Sequence, residues 1–263
     1  MPYADLHVHT TRSDGSLELA DVPAAAHRAD VAVVAITDHD RLQPFDQPVV
    51  DRDGVTLVQG IELRVETEGG QRVDLLGYGV ERTDALVAET ERIQRDRRER
   101  GRKIVKKVEE RLRIDLGLEV DTGFGRPHVA RAIASHPDSG YDYRGAFDHL
   151  IGNDGPCYVP RDVTSFSEGR EILIEACSIV SLAHPLRYPD PESALALAAD
   201  LDAVELTYPY GREVDLEPVE RTIERYDLLA TGGTDAHETE LGIAGLSQAE
   251  YEALELPTPV ESV

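Results

Sequence analysis

Histidines and carboxylates recur along this chain in a fixed setting, directly after short apolar runs. His7 and His9 close the run Tyr3–Val8, and His39 sits in Thr37-Asp38-His39-Asp40 after Val31–Ile36. Glu62 in Gly60-Ile61-Glu62 ends Val55–Ile61, and His184 in Ala183-His184-Pro185 ends Ser178–Ala183. Asp235 and His237, in Gly233-Thr234-Asp235-Ala236-His237, follow Leu228–Ala230. Continuous apolar runs of this length, alternating with helical stretches such as Leu17–Ala29, read as strands of a parallel sheet. Val73–Gly79 and Ala203–Leu206 supply two more, and Asp14 or Ser16 can cap the first helix. In parallel α/β sheets and barrels the carboxyl ends of the strands converge on one face, where active sites form.

That placement has an energetic consequence. Many titratable groups gathered in one place suffer desolvation and mutual repulsion, and bound divalent cations relieve both. Imidazole and carboxylate without thiolate suit zinc, manganese or iron. His27, inside the predicted helix, and His136 and His149, in the middle of the chain, read as packing or surface residues instead.

The strand–helix pattern breaks between Thr83 and Val163. Asp84–Leu116 is charged, with Ile93, Ile104, Val105, Val108 and Leu112 at helical spacing, and it reads as a long solvated helix. Helical pieces at Val129–Ser135 and Tyr143–Ile151 and a Gly/Pro-rich turn, Gly152–Pro160, follow. The expected organisation is an α/β body of residues 1–82 and 164–263 carrying a mostly helical insertion, 83–163.

The net charge is −24 over 263 residues, which disfavours a protein that grips duplex DNA. No apolar run approaches the ~18 residues of a membrane span. The start, MPYADLHVHT, has no signal-peptide character, and Cys157 and Cys177 form no CxxC pair, so a cytoplasmic protein is expected. Only three of the 27 basic residues are lysines (Lys103, Lys106 and Lys107), and tryptophan is absent. This balance resembles proteins of salt-in halophiles, haloarchaea included, in which molar salt screens self-repulsion.

The motifs together resemble the polymerase and histidinol phosphatase (PHP) superfamily: Asp5-Leu6-His7-Val8-His9-Thr10 with Ser13-Asp14-Gly15, then the groups around His39, Glu62, His184 and Asp235–His237, in family order. Arg126-Pro127-His128-Val129-Ala130-Arg131-Ala132, Ala146–Leu150 and Gly155–Pro160 look like the branch of nucleoside 3′,5′-bisphosphate phosphatases and 5′-to-3′ exoribonucleases. The resemblance implies a distorted (β/α)7 TIM-like barrel and three divalent metal ions, manganese, iron or zinc. Carried over by motif, one ion takes His7, His9, Glu62 and Asp235. A second takes Glu62, His128 and His184, and a third Asp14, His39 and His237.

The implied chemistry is phosphoester hydrolysis by metal-bound hydroxide, with no protein nucleophile. The expected partner is a small anionic substrate, a bisphosphate such as pAp or short RNA, with no membrane and no duplex. Arg126, Arg161 and Arg187, and more weakly Arg12, sit beside motif residues as candidate phosphate contacts. Asp5 and Asp38 are candidate acceptors behind the ligand histidines. Histidinol phosphate or another small phosphoester, and service as a polymerase-associated module, are the competing readings.

Overall fold

Burial follows the apolar runs, and the strands they form curl into one sheet. A computed structural model describes residues Met1–Pro259. The last four residues of the expected α/β body, 260–263, lie outside the described residues. Two units divide the chain, one of Met1–Ala88 with the chain from Val163 onward, the other Glu89–Asp162.

In the first unit, β1 (Ala4–Val8), β2 (Val33–Ile36), β4 (Val55–Glu66), β5 (Arg72–Tyr78), β7 (Ile179–Leu182), β8 (Ala203–Thr207) and β9 (Leu229–Gly232) lie side by side in that order. Two short strands, β3 (Val49–Arg52) and β6 (Thr164–Ser165), pair with β4. The pairs β1–β2, β2–β4, β7–β8 and β8–β9 are parallel. β5 runs antiparallel to both neighbours, a departure from the all-parallel expectation. A buried apolar strand looks the same in either direction, so its sequence did not carry the sign.

The barrel is not fully closed. In place of a continuous ladder, isolated bridges join β1 to the segments after β9, Val8 with Ala236 and Ala4 with Leu246. The chain there passes so near β1 that a Cβ on Gly233 would collide with the His7 backbone. The architecture is therefore a curled, barrel-like α/β sheet with helices, not a complete ring.

The sheet packs on both faces. α1 (Val22–Ala29) lays Val22, Ala25 and Ala26 against Val34, Ile36 and Leu57. The first helix is shorter than its apolar pattern, because a separate 3-10 turn, Leu19–Asp21, precedes it and Pro23 fits its first turn. Neither Asp14 nor Ser16 caps it; Asp21 occupies that position. A second cluster joins Leu6, Ala35, Leu76, Tyr78 and Ala203 to Leu246, Leu254 and Leu256 near the C-terminal end.

The second unit has its own core. Most of α2 (Asp84–Leu112) contributes Ile104, Val105 and Val108, which pack with Val129, Ala130 and Ile133 of α3 (Arg126–Ser135) and with Leu150 and Ile151. α2 ends at Leu112, four residues before the expected stop at Leu116. In the first unit, α4 (Phe166–Ala176), α5 (Pro191–Ala196) and α6 (Glu217–Tyr226) connect the later strands.

Candidate metal centre

Eight of the nine expected ligand residues gather in the first unit. His7 and His9 point the same way from β1, as the two-residue strand period requires, and both are fully buried. His9 Nε2 lies 3.3 Å from Glu62 Oε2 and 3.1 Å from Asp235 Oδ1. His7 Nε2 is 3.5 Å from each of the same carboxylates. His39 Nδ1 approaches Glu62 Oε2 at 2.8 Å, and His184 Nε2 approaches Glu62 Oε1 at 3.0 Å. On the far side of His9, Asp14 faces His237 at 3.4 Å and His39 at 3.8 Å.

Glu62 reaches the middle of this cluster differently from the sequence expectation. It does not end its strand: β4 continues to Glu66. β2 stops at Ile36, so β4 leaves it after Gln59 and pairs onward with β5 from Gly60. Glu62 sits at that switch, joined to His39 by an isolated bridge. Asp40, His184 and Asp235 hold positive φ values of 52°, 28° and 52°, a costly backbone for non-glycine residues. All three stand where the chain leaves a strand, and the bend turns His184 and Asp235 toward the cluster.

The residues fit divalent cations. Buried His7 Nε2, both ring nitrogens of His9, Asp14 Oδ1 and Glu62 Oε2 make no proper hydrogen bond, an arrangement that is costly without a bound ion. Donor atoms of His9, Asp14, His39 and His237 lie within 4.8 Å of one another, as do those of His7, His9 and Glu62 and of His7, His184 and Asp235. The fields within the cluster are strong. Burial opposes charge on His9, but Asp235 and Glu62 outweigh it and raise the ring to about 10. His7 rises well above its usual value against the same desolvation, through Glu205, Glu62 and Asp235. Burial pushes the Asp14, Glu62 and Asp235 carboxyls upward, and the surrounding histidines overcome that and hold them far below the usual range. Protons on imidazole thus occupy the electrostatic role that cations would take.

Asp5 and Asp38 bind backbone amides and hydroxyls around the expected ligands, Asp5 accepting from the His7 amide at 3.4 Å. Asp5 accepts from the Thr234 amide and hydroxyl at 2.8 and 2.6 Å and from the Gly242 amide at 2.9 Å, which pins the loop carrying Asp235. Asp38 accepts from Thr10, Ser13 and Gln43 and so fixes the loop that presents Asp14. The imidazole partner is Glu205, on β8. It accepts from His7 Nδ1 at 2.9 Å and from the His184 amide at 2.7 Å. Asp74, on β5, also joins Glu62 and His184 as a possible donor group, its two oxygens gripped by Arg64 at 2.8 and 2.7 Å. In the sequence each stands as a lone acid inside an apolar strand, Val73-Asp74-Leu75 and Val204-Glu205-Leu206, with no motif around it. A buried carboxylate in a strand is itself a signal.

The arginines separate into distinct settings. Arg187 donates to Asp235 Oδ2 at 2.9 Å and to the Tyr208 hydroxyl at 2.6 Å, while Tyr208 donates to the same Asp235 oxygen at 2.7 Å. Asp235 Oδ1 is left facing the histidines. Arg12 donates to the Leu42 carbonyl at 3.1 Å. His128, Arg126 and Arg161 belong to the second unit. There His128 Nδ1 accepts from the Gly125 amide at 3.2 Å, and its ring stacks on Phe124. Arg126 donates to Ile151 and Asn153 and lies over the Phe147 and Tyr158 rings. Burial, then Arg126 and Arg161, press the Arg100 guanidinium down to about 10, so three arginines share one neighbourhood. His27, His136 and His149 make local contacts with Asp53, Asp138 and Tyr141.

Strand ends that gather histidine and carboxylate around unsatisfied buried donors define a metal-binding α/β protein of the barrel-like class. The chain belongs to the PHP domain family, whose profile matches residues 5–198. Among curated relatives, a phosphoribosyl 1,2-cyclic phosphate 1,2-diphosphodiesterase of Eggerthella lenta is 28% identical over 244 residues, covering 89% of this chain and 93% of the relative. A 3′,5′-nucleoside bisphosphate phosphatase of Chromobacterium violaceum is 26% identical over 257 residues, covering 90% and 88%. A crystal structure from Bifidobacterium adolescentis, described as a candidate metal-dependent phosphoesterase, superposes with a TM-score of 0.78 at 22% identity over 95% of this chain and 94% of that one, and shows the shared fold.

Proposed function

We propose that this protein is a metal-dependent phosphoesterase that removes the 3′-phosphate of nucleoside 3′,5′-bisphosphates, pAp to AMP, and trims short RNA from the 5′ end. The observation that carries this reading is the buried cluster of unsatisfied histidine and carboxylate donors at the strand ends. Three divalent ions, manganese foremost, would be held by His7, His9, Glu62 and Asp235, by Glu62, His128 and His184, and by Asp14, His39 and His237. When bound, such ions supply an activated water and neutralise phosphate oxygens.

The chain's own residues do the rest. Glu205 fixes the His7 ring and the His184 backbone, and Arg187 with Tyr208 orients Asp235. Arg126 and Arg161, on the insertion 83–163, take the phosphate that is not cleaved, and Arg187 and Arg12 lend positive charge nearer the motifs. A mononucleotide-sized anion suits this acidic chain better than a long duplex does.

Manganese-loaded protein should hydrolyse pAp and short 5′-phosphorylated RNA faster than histidinol phosphate, and His9→Ala should lose activity on all of them. Equal rates on the three substrates, or activity surviving in His9→Ala, would overturn the assignment. Arg126→Ala and Arg161→Ala should each raise KM about tenfold for pAp and far less for a simple monoester. Equal effects on both substrates would remove the anchoring role.

A further inference from the structure

A cavity of about 550 Å³ opens beside the metal centre within the first unit, and its wall includes both Asp235 and His237. That size suits a small-molecule ligand. Tyr208, Tyr210, Arg187 and Arg212 line the same cavity. None of the roles assigned above uses Tyr210 or Arg212.

The aromatic wall is shaped by the chain just past β8. Tyr208 and Tyr210 flank Pro209, their ring centroids 4.7 Å apart and tilted by 59°. Tyr208 is committed: its hydroxyl holds Asp235, Arg187 lies 5.7 Å from its ring centroid, and its ring meets His184 edge-on. Tyr210 is half-buried beside the Tyr208 ring, and its hydroxyl accepts from the Leu186 amide at 3.4 Å. Gly211, at φ +68°, turns the chain so that Arg212 reaches back to the Leu186 carbonyl at 3.4 Å and forms the rim. The one carboxylate in the wall, Asp235, is already engaged by Arg187 and Tyr208. A sugar read through its hydroxyls would need free acceptors there. Tyrosine rings and guanidinium groups instead suit a flat π-system attached to an anion.

We propose that this cavity is a nucleobase subsite, in which the base of a nucleotide stacks on Tyr210 while its phosphate faces the metal centre. The proposal rests on the phosphoesterase reading and deepens it. It selects a substrate that carries a base over a ribose phosphate without one.

The test is calorimetric titration of the manganese-loaded protein with AMP and with ribose 5-phosphate. AMP should bind about tenfold more tightly. Tyr210→Leu should erase most of that difference by weakening AMP alone, and Tyr210→Phe should restore it. Equal binding of the two ligands by the unmodified protein overturns the subsite without any variant, and so does a Tyr210→Leu effect shared by both ligands. Hydrolysis of p-nitrophenyl phosphate by the same preparation reports separately on the phosphoesterase chemistry. Its absence would sink that reading while the titrations still judge the base subsite.

Discussion

Glu205 shows how one buried side chain sets the geometry of several others. Its two oxygens tie a β1 histidine to the backbone that bends His184 inward. Removing the charge while keeping the shape, as in Glu205→Gln, should weaken manganese binding about 10- to 100-fold, read by titration of the metal. An unchanged affinity would show that His7 needs no such support. The histidines also predict a pH dependence for metal-stripped protein. His9 rises from 6.5 unfolded to about 10 folded, so its contribution to stability is complete below pH 6.5 and is lost as pH climbs through 10. Asp14, Glu62 and Asp235 are depressed, so theirs is present above the ordinary carboxylate range and lost as pH falls through their folded values. EDTA-treated protein should therefore melt at a higher temperature at about pH 6 than at about pH 9.5. Metal-loaded protein should gain relative to it at the alkaline end, because ligands bind deprotonated. A flat melting profile for the stripped protein would contradict the protonated cluster.

Among the elements, the segment after β9 does the work of a missing ladder. Gly233 lets it lie against β1, and the Asp5 carboxylate fastens it from below through Thr234 and Gly242. Gly233→Ala should cost about 1–3 kcal/mol in urea unfolding, because the new methyl meets backbone that cannot move aside. It should also loosen metal binding, since Asp235 rides on the same turn. Wild-type stability in that variant would mean the turn has slack. Most strands were readable: β1, β2, β5, β7, β8 and β9 start or stop within two residues of their apolar runs, and β4 starts where its run does, whereas the short β3 and β6 had no apolar run to mark them. The direction of β5 and the onward course of β4 were not readable. Both depend on which neighbour a strand meets, and a run of apolar residues says nothing about its neighbour.

Over the whole molecule the charge is unevenly divided. Residues Glu89–Asp162 hold 15 of the 27 basic and 14 of the 51 acidic residues, leaving that unit at +1 and the rest of the chain at −25. Self-repulsion therefore falls on the sheet-bearing unit. We propose that the protein is built for high salt. Its unfolding midpoint should rise from dilute buffer to molar KCl as the screening length shrinks from about 10 Å to about 3 Å. Full stability in dilute buffer would count against that adaptation. No described helix is long and apolar enough to cross a membrane.

The sequence alone determined the residue chemistry of this protein and its approximate positions. Ligand-type side chains two apart on β1 share a face by strand geometry, and motifs after apolar runs must fall at strand ends. Those local rules placed His7, His9, His39, His184, Asp235 and His237 before any contact was known. Only the tertiary structure decided that Glu205 serves as the imidazole partner, that Asp5 and Asp38 fasten loops, and that Tyr208 and Arg187 turn Asp235 toward the histidines. Each of these is a contact between residues far apart in the chain, from Glu205 with His7 to Thr234 with Asp5. Such pairings are set by how the sheet curls and where its strands change partners, and no local pattern encodes that.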